Sequence, residues 1–474
     1  MDYESVIGLE VHVEISTKSK VFCACSADFH APPNSNVCPV CLGMPGVLPV
    51  LNRAMVDASV AVGLALGCTI SRWSKMDRKN YFYPDQCKNY QISQYDLPLC
   101  HDGYLDIDVR GETRRIRINR AHMEEDTARN VHTIGKGKSG VDFNRCGVPL
   151  LEIVTEPDIR NAEEAHIFLT DLKQLLEYLE VSDCNMEEGS LRAEPNTSIR
   201  LKGETELGTK TEVKNVASFS GVQKSIDYEI KRQAQMLDRG ESVHQETRGW
   251  DADKGITVAQ RSKESAHDYR YFPEPDLVPI IVDGEWEGRV RESLPEFPRA
   301  RRNRFEEDYG LSEYDARVIS MTRPMADYFE ATVTAGAAAK AAANWIMGDL
   351  LALADDVDLA FTTVAPKQLA DLIGLIEKGT ISGKIAKEIL TEMWDTGHEP
   401  AQIVEEKGLV QISDSSALGD LIDGVIAEHP GPAAEYRDGK KQALGFLMGQ
   451  VMKASQGKAN PKLANSILRE KLEA

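Results

Sequence analysis

The chain has 474 residues, 42% of them hydrophobic, and a formal charge of −20 at pH 7. That length and apolar content allow several buried cores, so two to four domains are expected. The charge excludes a polyanion-binding surface spread over the whole molecule, and any contact with nucleic acid must come from a local basic patch.

At the amino terminus no basic segment precedes an apolar core, and the longest uncharged apolar stretch, Ala58 to Ser71, falls short of the roughly 20 residues a membrane helix needs. Nine cysteines, an odd number scattered along a long chain, argue for reduced thiols or metal ligands rather than a secreted disulfide framework. A cytoplasmic protein is the expectation. Residues Val6 to Ile15 alternate strictly. In a strand, Ile7, Leu9, Val11, Val13 and Ile15 share one face, and Glu10, His12 and Glu14 share the other. Two carboxylates and an imidazole in a row suit a divalent cation such as Mg²⁺. An ordinary amphipathic strand with a polar outer face has the same pattern.

Next comes Cys23-x-Cys25, followed by Cys38-Pro39-Val40-Cys41-Leu42-Gly43. Two cysteine pairs of this kind can place four thiolates around Zn²⁺ in a closed structural site, against the alternative of unligated thiols. His30, between the pairs, is not needed to fill the shell. The polar, aromatic run Asp77-Arg78-Lys79-Asn80-Tyr81-Phe82-Tyr83-Pro84-Asp85, with Lys88, Tyr90, Gln91 and Gln94 after it, reads as a rigid loop. A similar composition recurs from Asp268 to Asp276 and is expected to rim the same cavity.

Between these runs lie His122-Met123-Glu124-Glu125-Asp126 and Glu152. Ser190, Arg192, Glu194, Asn196 and Arg200 share one parity, as do Lys210, Glu212 and Lys214. A concave sheet lined with carboxylates interleaved with Lys and Arg fits phosphoryl transfer, although a solvated sheet face carries the same residues. The period-two pattern with Gly and Pro punctuation predicts an α+β domain on an antiparallel sheet up to about residue 290.

From roughly residue 295 the period becomes helical. Leu369, Leu372, Ile373 and Ile376 repeat at helical spacing, as do Leu444, Leu447, Met448 and Val451, and the Ala-rich stretch Ala335 to Ala343 has high helix propensity. Boundaries are expected near Pro295 and Pro298 and in a turn region without a cap around Gly408. From Gly431 to Ala474 there are eight Lys or Arg against four Asp or Glu, a local charge of +4 that marks the basic patch. No phosphate loop, dinucleotide fingerprint, Ser-rich amidase signature or nucleophile elbow is present in the sequence. Ammonia, if the chain uses it, must be released by another chain.

Taken together, VIGLEVHVE (6–14), DRKNYFYPD (77–85), HMEED (122–126), LLEIVTEP (150–157), MEEGSLR (186–192), EVKN (212–215) and DYRYFPEPD (268–276) resemble the B subunit of the Glu-tRNA(Gln)/Asp-tRNA(Asn) amidotransferase, the GatB family. NWIMG (344–348), SGKIAK (382–387) and GFLMGQVMK (445–453) are similar to that family's helical and tail domains, so the resemblance runs nearly end to end. It implies a cradle domain of glutamine-synthetase/guanido-kinase type with the zinc knuckle (1–293), an all-α helical domain (294–406) and a small all-α tail domain that grips tRNA (407–474). It also implies a carbon–nitrogen ligase that uses ATP and Mg²⁺ to phosphorylate the side-chain carboxylate of a mischarged aminoacyl ester. Ammonia released from glutamine on an amidase partner, the A subunit, then displaces phosphate, and a small third partner, the C subunit, makes the complex a heterotrimer. By position, Glu10, His12 and Glu125 match the family's metal ligands, and Lys79, Tyr81 and Lys88 match residues near the cradle and channel mouth. Arg192 joins Lys79 as an electrostatic partner, Lys210 and Lys214 join them at the nucleotide, and Lys440, Lys441, Lys453 and Lys458 are the tRNA contacts. The related archaeal E-type protein carries a large insert between cradle and helices, for which this chain has no room. Two alternatives of another class stand beside this reading: a noncatalytic tRNA-binding adaptor, and an ammonia-using ligase acting on a small carboxylic acid.

Overall fold

A computed structural model describes residues 2–131, 135, 137–262, 269–354, 362–409, 415–455 and 458–473. The chain divides into two compact units, Met1–Phe297 and Pro298–Ala474. Strands of the first unit are β1 (Tyr3–Glu14), β2 (Thr69–Ile70), β3 (Trp73–Ser74), β4 (Asp77–Asn80), β5 (Tyr90–Ser93), β6 (Cys100–Val109), β7 (Glu112–Glu125), β8 (Arg129–Val131), β9 (Gly140–Asp142), β10 (Pro149–Thr155), β11 (Leu191–Leu201), β12 (Thr211–Lys214), β13 (Glu246–Asp251), β14 (Ile256–Ser262), β15 (Phe272–Pro273) and β16 (Ile280–Ile281). Its long helices are α1 (Arg53–Ala65), α2 (Ala162–Tyr178) and α3 (Phe219–Asp238).

Nine of these strands form one sheet in the order β14-β13-β12-β11-β1-β10-β7-β6-β2. Every neighbouring pair is antiparallel except β12 with β13. Strand β1 lies at the centre, hydrogen-bonded to β10 on one side and β11 on the other. Its alternation works as read: Ile7, Leu9, Val11, Val13 and Ile15 are buried in the unit's hydrophobic core. Helices α1, α2 and α3 cover that apolar face with stripes such as Ala165, Phe168, Leu169, Leu172, Leu175 and Leu176. Each helix starts on a side-chain cap, Asn52, Asn161 and Ser218 respectively, which accepts from a first-turn N–H that has no helical partner. The opposite face of the sheet is left to the polar side chains.

Two segments differ from the sequence reading. Asp77–Asn80 is a strand rather than loop, paired with Tyr90–Ser93 and, through Arg78 and Asp77, with Phe272 and Pro273. Phe272 and Pro273 of the second aromatic run thereby join Asp77–Asn80 of the first in one small sheet, while Asp268 lies outside the described residues. In the second unit the Ala-rich helix begins only at Ala339, because Ala335 ends the preceding helix and Gly336 takes φ +111°.

Among its described residues the second unit is helical and holds two separate hydrophobic clusters, one between Phe305 and Val404 and one between Leu418 and Leu472. Leu369, Leu372 and Ile373 are buried in the first, Leu447 and Val451 in the second. Gly408, expected in an uncapped turn, is itself the left-handed cap of helix Pro400–Lys407 at φ +58°. No helix among the described residues is long and apolar enough to cross a membrane.

Candidate active site

Antiparallel register sets one row of polar side chains across four strands. His12 of β1 stands opposite Glu152 of β10 and Arg192 of β11, and Glu152 stands opposite His122 of β7. His122 Nε2 lies 3.2 Å from Glu152 and 3.3 Å from Glu124, and His12 Nε2 lies 3.6 Å from Glu152. One ligand atom from each of His12, Glu124 and Glu152 falls within 4.8 Å of the others. Two residues back along β1, Glu10 faces Glu194, and Glu212 of β12 completes a second trio within the same limit. Lys214 Nζ sits 2.6 Å from Glu194 and 3.6 Å from Glu212, while Asn196 donates to Glu10 at 3.0 Å. A cavity of about 280 Å³ opens beside this second trio, lined by Glu10, Asn196 and Lys210 with apolar Val6, Val154 and Leu207.

Burial opposes charge on Glu124, His122, Glu152 and Asp126, so their charges survive only through the opposite charges beside them. Burial works against ionised Glu124, but Lys79 and His122 draw its carboxyl down to about 2. Burial likewise works against a charged His122, and Glu152 and Glu124 lift it to about 9. Glu152 is held well below the carboxylate range by its two imidazoles despite burial. Glu14 behaves oppositely: burial first, then the neighbouring Asp126 carboxylate, push it up to about 9. Asp126 stays low against burial because Arg192, at 2.9 Å, and Arg145, at 3.7 Å, both point at it.

This face has the donors a hard divalent cation prefers, ionised carboxylates with an occasional imidazole nitrogen. The ring nitrogens His12 Nδ1 and His122 Nδ1 are buried without a hydrogen-bond partner.

The set Glu10, His12 and Glu125 is not gathered into one cluster. Side chains alternate along β7, so Glu124 shares the face of His12 while Glu125 points the other way. There Glu125 pairs with Lys88 and accepts from the backbone N–H of Ile92 at 2.9 Å. Lys79, by contrast, does reach the polar face, 3.8 Å from Glu124 and over the ring of Tyr269. Tyr81 stacks edge-on against Tyr269, and its hydroxyl accepts from Gln86 at 2.6 Å. Sequence reasoning missed Gln91 and Ser93 as the donors that fix Glu124, at 3.1 and 2.7 Å. The parity of Glu124 and Glu152 with His12 was the available signal, but it becomes decisive only once strand neighbours are known.

Cys23, Cys25, Cys38 and Cys41 come together as expected, each sulfur within 4.8 Å of the others. Zn–S bonds of about 2.3 Å require sulfurs roughly 3.8 Å apart, so the group fits a tetrahedral ion with little movement. A hydrogen bond from Cys23 draws the Cys41 thiol down to about 5. His30 turns away and lies 3.4 Å from Glu188. The knuckle also abuts the Lys88–Glu125 pair: at Gly43, with φ +64°, a Cβ would stand 2.2 Å from Lys88 Cγ. Behind it a cavity of about 200 Å³ is lined by Cys23, Cys41, Lys88, Glu125 and Gly147.

In the second unit Lys440, Lys441 and Lys453 are exposed and Lys458 is half-buried, around helix Ala443–Ala454.

The fold and site thus define a sheet protein with two cation-competent clusters on one polar face and a separate helical unit. Residues 5–287 match the family model described as the GatB/GatE catalytic domain, and residues 327–472 match the GatB domain. A protein of Thermoanaerobacter pseudethanolicus, named as the B subunit of aspartyl/glutamyl-tRNA(Asn/Gln) amidotransferase, is 55% identical over 474 residues, covering 100% of both chains. Proteins of the same name from Caldicellulosiruptor saccharolyticus and Geobacter sulfurreducens are each 53% identical, again over 100% of both chains. The chain belongs to the GatB family.

Proposed function

We propose that this chain is the B subunit of a glutamine-dependent aminoacyl-tRNA amidotransferase, converting Glu-tRNA(Gln) or Asp-tRNA(Asn) to the amide. The observation that carries this reading is the pair of cation-competent trios on one sheet face, interleaved with Lys79, Lys214 and Arg192. A carboxylate is a poor acyl donor. Moving the γ-phosphoryl of ATP onto its oxygen makes an acyl phosphate, and ammonia then forms the C–N bond as phosphate leaves with the C–O electrons and ammonia loses a proton.

His12, Glu124 and Glu152, with Glu10, Glu194 and Glu212, would hold Mg²⁺, which supplies neutralisation of phosphate oxygens. Lys210, which lines the cavity beside Glu10, and Lys214, paired with Glu194 of the adjoining trio, would bind the nucleotide, the apolar Val6 and Leu207 taking its base. Lys79 and Arg192 supply fixed positive charge toward the transferring group. Lys88 and Glu125, between the polar face and the small cavity behind the knuckle, would meet ammonia arriving from the amidase partner. The small C-type partner completes the heterotrimer. The four thiolates would hold a structural Zn²⁺ that shapes the wall of that cavity.

Three domains follow from the same reading: a cradle to 293, a helical domain over 294–406 and a tRNA-gripping tail over 407–474. The fully buried residues form three separate hydrophobic clusters, one to each span, with Phe297 and Leu409 at the seams packing against the first and second, and this supports the division. The tail lysines Lys440, Lys441, Lys453 and Lys458 would contact phosphates, and the complex would work in the cytoplasm.

The test uses the coexpressed heterotrimer with mischarged tRNA, ATP and Mg²⁺. Glu124→Gln is expected to abolish amide formation while glutamine hydrolysis by the partner continues. Full amidation by the variant overturns the cation role of this cluster, and no amidation by the unaltered complex favours the adaptor.

A further inference from the structure

Each carboxylate of the Glu10–Glu194–Glu212 trio is held by a donor beside it. Asn196 donates to Glu10 and Lys214 to Glu194, both from strands that carry the trio itself. Glu212 is also held from the next strand out: its Oε2 accepts from the hydroxyl of Thr247 at 2.9 Å. Thr247 stands directly opposite Glu212 in the parallel pairing of β12 with β13, and both side chains are buried, where such a bond is stronger than in water. The position of that hydroxyl is itself fixed. Glu246 and Arg248, on either side of Thr247, reach the other way, toward α3. There Arg248 Nε lies 3.4 Å from the fully buried Glu229, which also takes Arg232 at 2.8 Å and the hydroxyl of Thr257 on β14. Gln233 of α3 donates to the Thr197 carbonyl of β11 at 3.0 Å. One helix thus fastens β11, β13 and β14 from behind and sets where Thr247 meets the polar face.

We propose that Thr247 is a positioning residue for the cation at the Glu10–Glu194–Glu212 trio, its hydroxyl holding Glu212 in the rotamer that brings it within reach of the other two carboxylates. The inference rests on the reading that this trio holds a divalent cation. Three carboxylates within 4.8 Å of one another repel when no cation is bound, and a flexible glutamate relieves that repulsion by swinging away. A neutral donor on a neighbouring strand opposes the swing without adding a charge that competes with the cation. Thr247 therefore keeps the trio assembled for the cation, and its effect is confined to this cluster, because His12, Glu124 and Glu152 are held by other partners.

The experiment titrates Mn²⁺, which takes the same oxygen donors as Mg²⁺, into the whole complex without nucleotide and reads the free ion by electron paramagnetic resonance. Thr247→Val keeps the shape of the side chain and removes the hydroxyl. It is expected to weaken one Mn²⁺ site about tenfold or more, the usual cost of losing a hydrogen bond to a ligating carboxylate, and to leave the others unchanged. Glu212→Gln should weaken the same site, and Thr247→Ser, which retains the hydroxyl, should bind like the unaltered complex. In the amidation assay Thr247→Val should raise the Mg²⁺ concentration for half-maximal rate by a similar factor, more than it lowers kcat. Unchanged Mn²⁺ affinity in Thr247→Val overturns the proposal, as does equal weakening of every site, the mark of a merely structural role. If that variant does not accumulate, Thr247→Ala reads the same affinity with a smaller side chain. Glu212→Gln that leaves every site intact is a separate outcome and sinks the cation reading of the trio. An unaltered complex that binds Mn²⁺ but forms no amide on Glu-tRNA sinks the amidotransferase reading and leaves the role of Thr247 standing.

Discussion

The polar face of the first unit and the basic end of the second are both crowded with charge, yet they hold it in opposite ways. On the sheet, Glu124, Glu152, His122 and Asp126 are buried, and each keeps its charge only because an opposite charge stands against it. In the tail, Lys440, Lys441 and Lys453 stand in solvent, where a charge needs no partner. Buried, mutually dependent charges form a rigid electrostatic template suited to chemistry, and losing one exposes the rest to the full cost of burial. Solvated lysines act nearly independently and at a distance, which suits attraction of a polyanion and makes it sensitive to salt.

Substitutions on either side put that contrast to the test. Glu152→Gln removes a ligand atom shared by two imidazoles and should lower the amidation rate by about 10³-fold, with glutaminase retained, in a coupled assay of the complex. A modest drop would mean that Glu152 holds no cation in the reaction. Glu125→Gln strands the Lys88 ammonium, which is buried with it, and should cost about 3 kcal/mol in chemical denaturation. An unchanged midpoint would show that Lys88 finds water or another partner.

Stability of the metal-free protein should depend on pH through His122. Its folded pKa, about 9, is above the ordinary 6.5, so its contribution is complete below pH 6.5 and fades as pH rises toward 9. The loss should be on the order of 3 kcal/mol, and His122→Asn should flatten that part of the curve. Glu14 acts in the same direction over a window that opens at 4.5, so the unaltered slope does not isolate His122 and the variant does. A slope identical in both proteins would remove His122 as its source.

Smallest is the effect expected in the tail. Changing Lys440, Lys441, Lys453 and Lys458 to Ala should weaken tRNA binding about tenfold and reduce the slope of log K against log salt by about one unit per lost phosphate contact. Loss of amidation on saturating tRNA would show instead that these lysines belong to the chemistry.

Much of this was readable in the chain. Strict alternation from Val6 to Ile15 announces a strand with an inner and an outer face, and the cysteine spacing announces a knuckle. Both are local signals, because side-chain direction in a strand and the reach of a short Cys loop depend on neighbours in sequence. The choice between Glu124 and Glu125 was not readable in this way. Adjacent acidic residues in one strand differ only in which face they take, and that is set by hydrogen-bonding to Pro149 and Leu150 on another strand. The run from Asp77 looked like a loop for a related reason: its polar residues pair with Tyr90–Ser93 and Phe272–Pro273, the latter nearly two hundred positions away.

The alternating central strand, the helical second half, the thiolate quartet and the family all follow from the order of residues along the chain. It took the folded sheet to bring His12 to Glu124 and Glu152 and to bring Glu10 to Glu194 and Glu212. The reason is physical: periodicity says which way a side chain points relative to its own backbone, whereas a ligand cluster depends on the register between strands that are distant in sequence.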